Sequence, residues 1–310
     1  MLDIFQPAPF YLVRAIKPLA DFLSLWTLPY HIHEVIAALV SYQLIFSVLS
    51  PLASSWIAPK TYRGLPPRRR ISWNVHVTSM VQSTFITTLA LYVIWNDEER
   101  KNMEWVGRIW GYTGAMGLVQ GLAAGYFLWD LIASIIHFNV LGPGSLAHAI
   151  SALLVTSMGF RPFANYYGLN FVLYEISTPF LNIHWFCNKL NMTGSRIQLY
   201  NGLVLVTTFF SSRILWGSYQ SVCIYRDVWT ALQTPTIDLK YASDSSIFDY
   251  MMATGLNGVS YSHNMQLPLW LVIVYLGSNT LLNFFNVYWF SQMVQAMRKR
   301  FQPPNPAKDR

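Results

Sequence analysis

Stretches of about 20 largely apolar residues recur along most of this 310-residue chain. Such stretches are typical of membrane-spanning helices, in which every backbone polar group is hydrogen-bonded inside the segment. Charged residues make up 11% of the sequence, whereas a typical soluble domain has roughly 25%. We therefore predict an all-α polytopic membrane protein without a separate soluble domain.

The apolar stretches predict a bundle of about seven transmembrane helices. The fourth stretch is short, as in a tilted or half-buried element, so the sequence alone leaves six or seven spans open. The predicted spans are residues 32–57, 73–95, 113–138, 145–160, 165–188, 198–225 and 267–296.

The polar stretches divide the chain further. The first residues form an amphipathic pattern that suits a helix lying in the membrane interface and interrupted at Pro18. The predicted segments are an interfacial segment (1–31), the main transmembrane domain (32–226), a lumenal polar loop (227–266), the last transmembrane helix (267–297) and a basic cytosolic tail (298–310).

Basic residues are concentrated in three segments that seven spans place on one side of the membrane. One acid, Asp309, accompanies them. The positive-inside rule makes this side cytosolic, so we predict a lumenal N-terminus and a cytosolic C-terminus. The sequon at Asn191 then faces the cytosol. The basic residues are Lys60, Arg63, Arg68, Arg69, Arg70, Lys189, Arg196, Arg298, Lys299, Arg300, Lys308 and Arg310.

The same rule accounts for the formal net charge of +7 without a nucleic-acid partner. The two cysteines, Cys187 and Cys223, form no CxxC pair, and we expect no disulfide. No HExxH motif, Cys/His cluster or GxSxG elbow occurs, so the sequence predicts neither a metal site nor a bound cofactor.

The stretch from Phe171 to Phe186 carries an acid, Glu175, inside a predicted span. On a helix, Thr178 and Asn182 follow Glu175 on the same face. Pro179 removes a backbone donor and should kink or break the helix at this point. A buried acid is costly without a partner, and inside a membrane it indicates a functional site.

Other ionisable side chains also fall within or near the ends of predicted spans. These groups could line a polar cavity, in which a carboxylate and a histidine act as acid and base. Equally, they could pair with one another and lock helices together. The residues are Asp130, His137, His148, His184 and Arg213.

Several of these stretches together resemble the TLC family of membrane proteins, outside its ceramide synthase branch. The resemblance covers roughly residues 35 to 225. It implies a multi-spanning protein of the endoplasmic reticulum linked to lipid homeostasis. The matching motifs are WNVHVTSMVQS (73–83), GYFLWDL (125–131), LAHAIS (146–151), FRPFANYYG (160–168), LYEISTPFLNIHWF (173–186) and NGLVLVTTFFSSRILWG (201–217).

The chain departs from the synthase pattern at several positions. The family's paired histidines correspond to Ala147 and His148, and its two aspartates to Glu175 and Thr178. Many family members have histidine where this chain has Gln82. The resemblance implies that His148 and Glu175 are the remaining catalytic candidates, and it leaves open whether the chain is an enzyme.

Three functions fit these observations. The first is a lipid-binding protein that adjusts membrane composition, with phospholipid or sphingolipid as its partner. The second is a lipid acyltransferase that uses acyl-CoA as co-substrate, with His148 as base and Glu175 as orienting group or acid. The third is a receptor or chaperone for secretory cargo, although no cargo-binding motif can be identified.

Overall fold

The computed structural model describes residues 3, 7–161, 163–234 and 267–301. Every regular element in these ranges is a helix, and none of them is a strand. This confirms the all-α fold class.

The chain begins with a short amphipathic helix and a first long apolar run. Helix α1 spans Phe10–Leu23 and continues through Pro18, so the predicted interruption there is wrong. The long run consists of α2 (Leu28–Leu44), the π-helix π1 (Ile45–Leu49) and α3 (Ser50–Ile57).

The next helices form the centre of the bundle. They are α4 (Pro59–Gly64), α5 (Pro67–Asn96), α6 (Glu98–Lys101), α7 (Trp105–Trp110), α8 (Gly114–Ile136) and α9 (Phe138–Met158). Within α9, Gly142 has φ 79° and ψ 175° and precedes Pro143, so the helix is kinked near its start.

The C-terminal half contains two interrupted helical runs and one long helix. They are α10 (Asn165–Val172), a 3-10 helix (Leu173–Ser177), α11 (Thr178–Lys189), α12 (Arg196–Phe209), the π-helix π2 (Phe210–Trp216), α13 (Gly217–Gln233) and α14 (Leu269–Phe301).

Five helical runs in the described part of the chain are long and apolar enough to cross a membrane. They are Leu28–Ile57, Pro67–Asn96, Trp105–Ile136, Phe138–Met158 and Leu269–Arg298. The predicted count of seven is therefore not confirmed. The stretch predicted as a span at 165–188 is divided by the 3-10 helix, and the one at 198–225 carries Arg213 among its apolar residues.

The glycine-rich string in α8 packs directly against α2. Gly117, Gly121 and Gly125 follow one another at intervals of four and so lie on one face of α8. A Cβ on Gly121 would lie 2.6 Å from Glu34 Oε2, and a Cβ on Gly125 would lie 2.6 Å from Ala38 Cβ. The missing side chains therefore allow the two helix backbones to approach closely, as small residues do in membrane bundles.

Contacts between connecting segments define two ends of the bundle. At one end, which we call the basic end, Leu65, Arg69, Ser72, Trp185 and Lys189 line a cavity of about 70 Å³. Helix α5 starts at this end and has 30 residues, which corresponds to roughly 45 Å of helix.

The other end, the α6–α7 end, is held by buried polar contacts. Arg108 donates to both carboxylate oxygens of Asp227, at 2.6 and 3.0 Å, and the hydroxyl of Tyr167 donates to the same carboxylate. Arg100 donates to Asn170 Oδ1 at 2.5 Å, and Asn170 donates to Gln220 Oε1 at 2.8 Å. These bonds join the segment after α5 to α10 and α13.

The structure changes two of the predicted boundaries, the start of the polar loop and the start of the tail. Helix α13 continues to Gln233, so Asp227 belongs to a helix and not to the loop predicted at 227–266. The rest of that loop, from 235, lies outside the described residues, as does the tail beyond residue 301. Arg298 still belongs to α14.

Candidate functional site

The predicted helix break at Glu175 is present. Residues Leu173–Ser177 form a 3-10 helix with Glu175 at its centre, and α11 begins directly afterwards. Pro179 occupies the first turn of α11, where its missing N–H costs nothing. The proline thus ends one helix and starts the next, and Glu175 lies at the junction.

The partner of Glu175 comes from a second non-α segment, π2. Arg213 Nη2 lies 3.8 Å from Glu175 Oε1. The Nε of Arg213 donates to the carbonyl oxygen of Tyr174 at 3.1 Å and to the hydroxyl of Ser177 at 3.2 Å. The guanidinium therefore binds the 3-10 helix through both its backbone and its side chains. Such π segments often occur at functional sites.

Two further predicted residues are close to this pair. Asp130 of α8 interacts electrostatically with both His148 of α9 and Glu175. Asp130 is 6% exposed, whereas His148 lies on the exposed surface of α9, beside the edge of the Phe127 ring. The charged groups thus extend from the interior of the bundle to the outer side of α9.

A chain of polar side chains continues from these charges towards the basic end. Tyr126 of α8 lies close to Ser79 of α5 and interacts electrostatically with Asp130 and Glu175. The amide of Asn182 donates to Ser79 Oγ at 3.2 Å, and its Oδ1 lies 2.7 Å from His76 Nδ1. We call Asp130, His148, Glu175, Arg213, Tyr126, Ser79, Asn182 and His76 the central polar network.

Sequence reasoning missed His76, Ser79 and Tyr126. His76 and Ser79 are three residues apart in α5, in the motif WNVHVTSM, and so share a helix face. This spacing was a usable signal. The ring of His76 stacks on Trp185 at 4.0 Å between centroids, and Trp185 lines the cavity at the basic end. The network therefore continues to the cavity that contains Arg69 and Lys189.

The other predicted polar residues are placed differently. His137 follows the last residue of α8 and contacts the ring of Phe46. Thr178 is the first residue of α11. A Cβ on Gly202 would lie 3.8 Å from His184 Nδ1, so His184 faces α12. Gln82 is 1% exposed in α5, and its Oε1 has no hydrogen-bond partner among the described residues.

Comparison with known proteins gives a consistent family. A sequence model of the TLC domain, named for TRAM, LAG1 and CLN8 proteins, matches residues 72–295. The match begins at the motif that contains His76 and includes most of α14. Compared with the resemblance over residues 35 to 225, the match starts later and extends further towards the C-terminus.

Individual relatives cover most of the chain. An uncharacterized TLC domain-containing protein of Schizosaccharomyces pombe is 32% identical over 94% of this chain and 87% of its own length. The Saccharomyces cerevisiae protein named Topoisomerase I damage affected protein 4 is 29% identical over 90% of this chain and 88% of its own. Human TLC domain-containing protein 4 is 28% identical over 56% of this chain and 65% of its own.

Proposed function

The chain belongs to the TLC domain family of multi-pass membrane proteins, and we propose that it binds membrane lipid and contributes to lipid homeostasis in the endoplasmic reticulum. The observation that carries this proposal is the central polar network. Its members bring two acids, an arginine and two histidines together inside apolar helices.

Placing polar groups inside a membrane costs free energy, so their presence there needs a reason. A structural lock between helices would require only paired charges. His148, however, lies on the exposed face of a helix whose apolar window is just 6% buried. A histidine on such a face can hydrogen-bond a polar group of a lipid that enters the bundle, while the apolar residues of α9 contact its acyl chains.

The cavity at the basic end supports the same proposal. Arg69 and Lys189 line it, and both are cations that attract phosphate groups. The ammonium of Lys189 lies 5.1 Å from the ring centre of Trp185, which in turn stacks on His76. A phospholipid or another anionic headgroup would therefore be held at the end of the network.

An acyltransferase is the second candidate, and the electrostatic interaction between His148 and Asp130 favours it. In such an enzyme His148 would act as base, and acyl-CoA would be the co-substrate. Asp130, rather than Glu175, would orient His148, because Glu175 is paired with Arg213. A role as a cargo receptor remains a hypothesis that no contact described here favours.

Mass spectrometry of the purified full-length protein tests the proposal. Wild type, Glu175→Gln and His148→Ala are released from detergent and examined for bound lipid. Asp21→Asn serves as the control, because Asp21 is an exposed acid of α1 whose ion pair is with Lys17. We expect non-covalent lipid on wild type and Asp21→Asn, and at least a several-fold loss in the other two variants.

Other results would separate the candidates. A fatty-acyl adduct that disappears in His148→Ala would favour the acyltransferase. Lipid at the level of the detergent background in the wild type would contradict both.

A further inference from the structure

A second group of ionisable side chains lies away from the central polar network, near the start of α2. His31 Nδ1 is 2.8 Å from Glu34 Oε2 and 3.6 Å from Asp3 Oδ2. One nitrogen or oxygen atom from each of these three residues lies within 4.8 Å of the other two. His31 and Glu34 are three residues apart, so both lie on the same face of α2.

This group is largely buried, although it contains two acids. The side chain of Glu34 is fully buried, that of His31 is 4% exposed and that of Asp3 is 22% exposed. Glu34 Oε1 has no hydrogen-bond partner among the described residues. Among the described residues, the charged or ionisable groups that face Glu34 are Asp3, His31 and His33, and no lysine or arginine pairs with its carboxylate.

Two carboxylates beside each other in a buried site need either a shared proton or a positive charge between them. A metal cation meets this need, because carboxylate oxygens and imidazole nitrogens are its usual ligands in proteins. In a tetrahedral zinc site, bonds of about 2.0–2.2 Å place ligand atoms roughly 3.4 Å apart. The separations of 2.8 and 3.6 Å around His31 Nδ1 bracket this value.

The second nitrogen of His31 has the environment that a metal-bound histidine requires. His31 Nε2 hydrogen-bonds the hydroxyl of Tyr112, which precedes α8. A histidine that binds a metal through one nitrogen normally donates the N–H of the other, and this bond fixes the ring. The bare backbone at Gly121 leaves room for the Glu34 carboxylate, since a Cβ there would lie 2.6 Å from Oε2.

We propose that Asp3, His31 and Glu34 bind one divalent cation of the zinc type, through His31 Nδ1 and one oxygen of each acid. Three protein ligands leave a fourth position to water. Because Asp3 precedes α1 and the other two ligands belong to α2, the ion would tie the N-terminal segment to the α2–α8 contact. This proposal does not depend on lipid binding.

The test is the metal content of the full-length protein, carrying a C-terminal tag without histidines so that the N-terminus is native. Wild type, Glu34→Gln, His31→Asn and the control Glu98→Gln are equilibrated with Zn²⁺, dialysed and analysed by elemental mass spectrometry. Glu98 is a suitable control because its side chain is 74% exposed in α6. We expect about one zinc per chain in wild type and Glu98→Gln, and at least a fivefold loss in the other two.

Thermal unfolding provides a second readout, which separates a bound cation from a proton shared by the two acids. If a cation binds, Glu34→Gln lowers the melting temperature, and a chelator destabilises wild type but not this variant. If the site holds only a shared proton, a chelator leaves the melting temperature of wild type unchanged, whatever the effect of Glu34→Gln. The latter result would overturn the proposal.

Titration of wild type with Co²⁺ covers the case in which the variants fail to fold. A saturable absorption band of tetrahedral cobalt, displaced by zinc, supports the site. No such band, together with less than about 0.1 zinc per chain, would overturn it.

Discussion

Arg213 and Glu175 form an ion pair in which each side chain is mostly buried, at 15% and 22% exposure. The substitution Arg213→Met removes the cation and its bonds to Tyr174 and Ser177, and leaves Glu175 without its partner. We expect a loss of about 3 kcal/mol, because breaking a buried pair costs roughly 3–5 kcal/mol and this pair is partly exposed. Thermal unfolding in detergent measures it.

The double variant Arg213→Met/Glu175→Gln provides the control for this prediction. Neutralising both partners removes the isolated charge, so the double variant should be more stable than Arg213→Met alone. Strict additivity of the two single effects would show that the residues do not interact.

Asp227 makes a stronger set of contacts at the α6–α7 end. It is 2% exposed and accepts hydrogen bonds from Arg108 and Tyr167. We expect Asp227→Asn to destabilise the protein by about 3 kcal/mol or more, since Arg108 would lose its paired carboxylate. Melting temperature and yield of monodisperse protein are the measurements.

A neighbouring arginine supplies the matched control for Asp227. Arg226 lies 3.9 Å from the same carboxylate, but its side chain is 71% exposed. Arg226→Ala should therefore change stability by less than about 1 kcal/mol. An equal effect of both substitutions would contradict the assignment of the buried pair.

At the level of single residues, the sequence was informative where an ionisable group interrupts an apolar stretch. Glu175, Asp130 and Arg213 stand out for this reason, and all three are in the central polar network. His76 gives a weaker signal, which is the helix face that it shares with Ser79, because it lies near the end of a span among other polar residues. Its role depends on Asn182, which is 106 positions away in the chain and therefore invisible to local patterns.

At the level of helices, the contact between α2 and α8 depends on a glycine stripe. A Cβ on Gly125 would meet the backbone carbonyl of Val35 and lie 2.6 Å from Ala38 Cβ. Gly125→Ala should thus force the helices apart and cost about 1–3 kcal/mol, measurable as a lower melting temperature.

Gly277 in α14 is the matched control for Gly125. A Cβ there would have no neighbour within 4 Å. Gly277→Ala should leave stability unchanged or raise it by up to about 1 kcal/mol, because alanine is the better helix former. A larger loss at Gly277 than at Gly125 would contradict the packing described for α2 and α8.

Helix irregularities differ in how well a sequence reveals them. The break before α11 is predictable, because Pro179 lacks the N–H that would continue the α-helical hydrogen bonds, although α1 shows that a helix can pass through a proline. The π-helix around Arg213 has no such marker, since residues 210–216 contain neither proline nor glycine. A π turn changes only the hydrogen-bond register, and such a change leaves no mark in the local sequence.

At the level of the whole molecule, composition suffices for the fold class but not for the number of spans. Apolar length identifies Leu28–Ile57 and four other helical runs. The stretches at 165–188 and 198–225 carry Glu175 and Arg213. These charged residues lower the mean hydropathy by which spans are recognised. The candidate site residues and the unconfirmed spans coincide, because an ionisable residue within an apolar stretch both suggests a site and lowers the apolar character of the span.

The orientation of the bundle remains a prediction, and it can be tested by cysteine labelling. Thr193 lies in the exposed turn between α11 and α12, next to the basic end, and Lys101 is 38% exposed at the α6–α7 end. Each is replaced by cysteine in a chain whose native cysteines, Cys187 and Cys223, are changed to alanine.

A membrane-impermeant maleimide is then added to sealed membrane vesicles whose cytosolic face is outward. Because the positive-inside rule places the basic end in the cytosol, we expect Thr193→Cys to react in intact vesicles. Lys101→Cys should react only after detergent opens the vesicles. The reverse pattern would invert the predicted orientation. Reaction of both in intact vesicles would mean that the two ends lie on the same side of the membrane. That result would contradict the three spans predicted between residues 101 and 193, at 113–138, 145–160 and 165–188.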